Sequence, residues 1–175
     1  MTIEAVALND PTGAYVTLDE ADTFLLRVAD ITAWTAADDG TKARALLQAS
    51  DELDTLTLAG QKYDSDQARA FPRVCYDEPA SWPDGKSLAY ASVWDLIDGV
   101  AVVPEAVKLA AVLQAMSILR DPQRAQRLRD RADGVASQSA GGYAESYDAG
   151  KLPQLVCLEA RAHMRPYLLK GGRIV

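Results

Sequence analysis

The side chains of this chain that could do chemistry are a single histidine, His163, two cysteines, Cys75 and Cys157, and scattered carboxylates. A zinc site needs three or four converging ligands. Cys157 and His163 stand six residues apart on one expected helix, which puts them on different faces. A nucleophilic triad would have to be built on His163, and no nucleophile-elbow motif accompanies it. His163 therefore reads as a surface or interface residue. Gly85-Lys86 and Gly150-Lys151 both lack the earlier glycine of a phosphate-binding loop, and no G-x-G-x-x-G is present. Asp51 with Asp54, and Glu20 with Asp22, could do acid–base work, but on polar helix faces such pairs read as solvated charge. The cysteines read as reduced filler rather than a disulfide. The expectation is a protein that is not an enzyme and takes no cofactor and no metal.

Charge is the other source of chemistry. Residues 1–40 carry eight acids against Arg27 alone, so of the net charge of −7 none remains over the other 135 residues. A protein that grips nucleic acid usually shows a basic stripe, because phosphate neutralisation supplies most non-specific affinity; the balance here argues against that role. Five arginines between Arg120 and Arg131, mixed with Asp121 and Asp130, could face solvent, DNA or a neighbouring chain. Arginine is favoured at protein interfaces. Arg124, Arg127 and Arg131 are therefore expected to meet Asp19 and Asp22 of the next subunit, a heterologous contact that closes into a ring.

The elements that must position these groups are mainly helical. A chain of 175 residues with 49% apolar side chains suits one domain. No apolar run is long enough to span a membrane and the N-terminus lacks the features of a signal peptide, so the expected place of synthesis is the cytoplasm. Residues 1–14 read as an arm and 15–169 as a single helical domain. Thr17-Leu18-Asp19-Glu20 has the spacing of a capping box, opening a helix to about Ala29. A short helical piece surrounds Trp34 and is broken at Asp38-Asp39-Gly40. From Thr41 the stripe Leu46, Ala49, Leu53, Leu56 marks an amphipathic helix. Phe71-Pro72-Arg73 reads as a fixed elbow, and residues 74–102 as a long excursion ordered by a partner. A helix starting at Pro104 is apolar on most faces, so it is expected at the centre of a small bundle. Its Leu109, Leu113 and Met116, with Trp34, Leu46, Leu53 and Phe71, are the candidate core. A charged helix is expected over 123–133 and a hairpin over 135–147, around Gly141-Gly142. A last helix should run from about Pro153 to Tyr167, followed by a basic tail over 170–175.

Several of these segments, taken in order, resemble the head-tail connector family of tailed bacteriophages. They are Tyr15 to Asp22, Thr32-Ala33-Trp34, Lys42 to Leu58 with Gly60-Gln61-Lys62, Phe71-Pro72-Arg73, Val103 to Lys108, the glycine-centred hairpin and Arg165-Pro166-Tyr167-Leu168. The resemblance implies a virion structural protein at the head-tail interface, made in the host cytoplasm. It would form a dodecameric ring of identical subunits beneath the portal protein and join a tail, stopper or head-completion protein, with DNA only as channel contents and no membrane. Portal or adjacent subunits would be met by Ser137, Ser139, Gly141, Gly142, Tyr143 and Tyr147 of the hairpin. Leu168, Leu169, Lys170, Arg173, Ile174 and Val175 at the C-terminus would join them. Members of that family are also described as similar to a single-stranded-DNA-binding primosomal protein, which supplies the competing expectation. Aromatic platforms beside basic residues would mark that role, and Trp34, Trp82 and Trp94 are not interleaved with lysine or arginine.

Overall fold

The computed structural model of the chain describes residues 13–76, 91–93, 96–97, 100–121, 123, 137–140, 143–146 and 155–169. The described residues are mainly helical, with short antiparallel ladders, as expected from the sequence. Helix α1 (Leu18–Leu25) opens with the capping box: the Glu20 amide donates to the Thr17 hydroxyl at 3.2 Å, and the Glu20 carboxylate accepts from the Thr17 amide at 2.9 Å. It ends at Leu25 rather than near Ala29. The amides of Arg27 and Val28 donate to the carbonyls three residues back, Phe24 and Leu25, which tightens the last turn and closes the helix. The chain then folds back through α2 (Thr32–Thr35), where buried Trp34 donates its indole N–H to Asp22 at 2.7 Å.

Asp38-Asp39-Gly40 starts a helix as well as ending one. Asp38 accepts from the Thr41 amide at 2.7 Å, so α3 (Asp39–Asp54) begins two residues before the expected Thr41. Its stripe of Leu46, Ala49 and Leu53 is fully buried. Helix α4 (Glu105–Arg120) is central, packed against α3 on one side and α5 (Leu158–Met164) on the other. It buries its small side, Val107, Ala110, Ala111, Val112 and Ala115, together with Met116. Leu109 and Leu113, expected in the core, are only half-buried. Neighbouring helix backbones approach most closely over alanines, which leaves the longer leucines at the flanks of the contact.

Two apolar clusters share α4. One gathers Val16, Ala21, Leu25 and Trp34 over Leu46 and Met116. The other gathers Tyr15, Leu53, Phe71 and Val107 over Met164 and Tyr167. In the second, the ring of Phe71 meets Tyr15 at 6.1 Å and Tyr167 at 5.3 Å, both edge to face. The Phe71–Pro72 bond is cis, which makes the expected elbow.

Part of the expected excursion is ordered by the chain itself. Strands β1 (Gln61–Lys62), β2 (Arg73–Tyr76) and β3 (Ala91–Val93) form an antiparallel sheet in that order, with Lys62 opposite Arg73 and Val74 opposite Val93. Strands β4 (Leu96–Ile97) and β5 (Val100–Ala101) pair with each other. The expected hairpin is present as β6 (Ser137–Ala140) against β7 (Tyr143–Ser146), with Ala140 opposite Tyr143. Helix α5 starts at Leu158, not near Pro153, and passes into a 3-10 turn at Arg165–Tyr167, where Pro166 has no amide to continue it. The arm over 1–12, the charged segment over 124–133 and the tail over 170–175 lie outside the described residues.

Candidate functional site

The carboxylates that could have been chemical are tied into the fold. Arg69 reaches Asp54 at 3.2 Å and also Asp51, and the Tyr15 hydroxyl donates to Asp54. Burial first, and the Asp54 carboxylate second, push the Tyr15 hydroxyl well above the usual tyrosine range. Glu20 accepts from Lys108 at 2.6 Å, and this hydrogen bond holds its carboxyl below the usual glutamate range. Asp22 serves Trp34. The solvated reading of these pairs gives way to a structural one, because each carboxylate faces a specific donor from another element. Among the described residues no group of three or more His, Cys, Asp and Glu could hold a metal ion. No described helix is long and apolar enough to cross a membrane.

The cations divide differently. Arg27, Lys42, Arg69, Lys108 and Arg120 each have a carboxylate within 4 Å. Arg161 and Arg165 have no ion-pair partner among the described residues. They stand four apart and exposed, Arg161 on α5 and Arg165 at its C-cap, between Leu158, 75% exposed, and Leu169, 58% exposed. The inner face, Ala160 and Met164, is fully buried. That orientation is fixed at the start of the helix by Gln114, itself fully buried. Its amide N–H groups donate to Glu52 of α3 and to the Leu155 carbonyl at 3.1 Å, and its carbonyl accepts from the Cys157 amide at 2.8 Å. One polar side chain of the central helix thus holds α3 and the approach to α5 in register.

The other end of α5 is stitched to the β1 region. The Ala59 amide donates to the Tyr167 carbonyl at 2.8 Å, and the Leu169 amide to the Thr57 carbonyl at 2.9 Å. Arg73 donates to the Ala59 carbonyl at 2.8 Å, which holds β2 beneath the same turn. Three residues beyond Ala59, β1 carries Lys62, and Tyr63 follows, 50% exposed. The loop after it is bound internally by Gln67, whose carbonyl accepts from the Asp64 amide at 3.1 Å and whose amide donates to the Arg69 and Pro72 carbonyls at 2.9 Å.

Of the residues expected to meet partners, Ser137 pairs with Ser146 and Ser139 with Ala144 in the hairpin ladder, where Tyr143 pairs with Ala140. Leu168 forms a bridge with Leu58 and packs on the second apolar cluster, so it is a fixture of its own chain. Gly141, Gly142, Tyr147, Lys170, Arg173, Ile174, Val175, Arg124, Arg127 and Arg131 lie outside the described residues. Asp19 is exposed in the first turn of α1, and Asp22 faces Trp34 rather than a neighbouring chain. Lys62, Tyr63, Arg161 and Arg165 were not singled out from the sequence. For Arg161 and Arg165 the signal was a different division of charge: residues 108–175 hold eleven Lys and Arg against six Asp and Glu, while residues 1–107, with Lys62 and Tyr63, hold seven against nineteen.

The family model described as "Putative DnaT-like ssDNA binding protein" matches residues 1–174. The chain belongs to this family. No curated protein and no solved structure matches it. The match overturns the resemblance to head-tail connectors, and with it the portal, the tail protein and DNA as mere channel contents. The segments that carried that resemblance mark helix starts, an elbow and a hairpin. Such signals report a fold, and a fold does not specify which surface is used.

Proposed function

We propose that the chain binds single-stranded DNA as a non-catalytic, replication-type protein. The observation that carries this reading is the family match over residues 1–174. The geometry supports it in one respect: Arg161 and Arg165 are exposed, at the end of α5 and at its C-cap, with no ion-pair partner among the described residues and beside exposed leucines. Guanidinium groups so placed can take backbone phosphates, while apolar side chains beside them can lie against sugars and bases. The acidity of the first 107 residues does not oppose this, because ionic screening limits repulsion to about a Debye length, roughly 8–10 Å.

The test is binding of a labelled oligothymidylate to the full chain, followed by fluorescence anisotropy over a range of salt. Affinity should fall steeply as salt rises. For single strands each phosphate contact contributes about 0.7 to the slope of log K against log salt, so Arg161→Gln with Arg165→Gln should lower the slope by about 1.4. At about 0.15 M salt the same relation gives a loss of roughly tenfold. No binding by the wild-type chain at low salt would refute the proposal.

A further inference from the structure

Tyr63 is 50% exposed, whereas Tyr15, Trp34, Phe71 and Tyr167 are buried and Phe24 is half-buried. Nothing in the core requires an aromatic there. Its backbone is nonetheless held firmly. The Tyr63 amide donates to the Pro72 carbonyl at 3.0 Å, extending the β1–β2 ladder by one bond, and Gln67 fastens the loop that follows. Lys62 adds a hydrogen bond from its ammonium to the Gln67 carbonyl at 2.9 Å. The ring is thus presented on a fixed backbone, which lowers the entropic cost of using it as a contact surface.

Its electrostatic setting is mixed, and the mixture gives a direction. Lys62 precedes the ring with its ammonium on the Gln67 backbone carbonyl, and Arg73, opposite it in the ladder, has its guanidinium on the Ala59 and Gly60 carbonyls, so the cation on the Gly60 side is Arg73. Asp64 and Asp66 follow it; Asp64 accepts from the Asp66 amide at 2.9 Å and Asp66 from the Ser65 hydroxyl at 3.3 Å, so both carboxylates belong to the loop. A phosphate chain passing the ring would keep to the Arg73 side, away from the two carboxylates. That side leads through Gly60 and Ala59 to the C-terminal segment stitched there by the Tyr167 carbonyl, and from it to Arg165 and Arg161.

We propose that Tyr63 is a base-stacking platform, the point at which the protein tells single-stranded from duplex DNA, with Arg161 and Arg165 holding phosphates further along the same strand. This rests on the reading of the chain as a single-stranded-DNA-binding protein. A single strand offers unpaired base faces to a ring, and a duplex hides them in its own stack.

The experiment compares the wild-type chain with Tyr63→Ala and Tyr63→Phe on three ligands of equal length: oligothymidylate, an abasic strand with the same phosphates, and a duplex. On oligothymidylate Tyr63→Ala should lose about tenfold in affinity, within the range known for base–aromatic stacking, and Tyr63→Phe should stay within about twofold of wild type. On the abasic strand all three proteins should bind alike, and the salt slope should be the same in all, since no charge is removed. Crosslinking of a strand containing iodouracil to the wild-type protein, mapped by mass spectrometry, should place the adduct at Tyr63. This second measurement does not depend on a variant folding. Equal loss on the abasic strand, unchanged affinity of Tyr63→Ala, or adducts only elsewhere would overturn the platform while leaving single-strand binding standing. Absence of wild-type binding to every strand would overturn both.

Discussion

Replacing Gln114 with leucine tests whether the buried amide of α4 holds the bundle together. Leucine is close to glutamine in volume, so packing should change little. What is lost is the set of hydrogen bonds to Glu52, to the Leu155 carbonyl and from the Cys157 amide. Two are neutral and contribute about 1 kcal/mol each, and the one to a carboxylate contributes about 1.5–3 kcal/mol, so Gln114→Leu should destabilise the fold by about 4 kcal/mol. For a protein of this size about 1 kcal/mol shifts Tm by roughly 2–4 °C, which gives a fall of about 8–16 °C. Circular dichroism during thermal and urea unfolding would measure it. Glu52→Gln separates the parts, because its single carbonyl can still accept from Gln114 while its NH2 then faces Gln48, which donates to the other carboxylate oxygen at 3.0 Å, and should cost about 1–3 kcal/mol. Because the same amide sets where α5 begins, Gln114→Leu should also weaken single-strand binding under conditions where the variant is still folded. A loss of stability below about 1 kcal/mol with an unchanged urea m-value would refute the reasoning, since three buried hydrogen bonds cannot vanish at so small a cost.

Two further substitutions test the ion and hydrogen-bond pairs through pH. Tyr15→Phe removes the hydroxyl that donates to Asp54 and accepts from the Phe71 amide, and should cost about 1–2 kcal/mol at neutral pH. The folded-state pKa of Tyr15 is raised, so its contribution is complete below the unfolded value of about 10 and is lost as pH rises further. The urea midpoints of wild type and Tyr15→Phe should therefore stay apart up to about pH 10 and converge only above it, and a gap that stays constant there would count against the buried pair. Lys108→Met acts at the other end of the scale. The folded-state pKa of Glu20 is lowered, chiefly by its hydrogen bond to Lys108, so the stability it adds is present above the unfolded value and lost as pH falls through the folded one. Wild type and Lys108→Met should differ slightly at pH 7 and converge in acid below about pH 4; a difference that persists there would show that the pair is not the cause.

The family match overturned the functional reading, and in two places a whole-chain quantity had hidden a local one. A net charge of −7 argued against nucleic acid, although the excess of acid lies before residue 108 and the later part is basic. The tryptophans carried the expectation of stacking, and Trp34 is spent on Asp22 and the core. The tyrosine beside Lys62 was passed over because a polar loop gives no periodicity by which to weigh one aromatic. Net charge is a sum, whereas phosphate contacts respond to charge within a Debye length.

The sequence by itself determined the elements whose cause is local. The capping box at Thr17, the stripe of α3, the proline start of α4, the elbow at Phe71-Pro72 and the two residues between β6 and β7 each depend on neighbours a few positions away, and each is where the sequence indicated. Tertiary structure alone decided which face of α4 is buried, because a helix apolar nearly all round carries no pattern to orient it, and helix packing favoured its alanines. It also decided that Gln114 is buried and answered by groups 41 to 62 residues away. The same holds for Leu168, which the resemblance gave to a partner contact and which a bridge to Leu58 fixes against the core. Partners so distant in sequence leave no periodic trace, so only the folded chain could show that Arg161, Arg165 and Tyr63 are left facing outward.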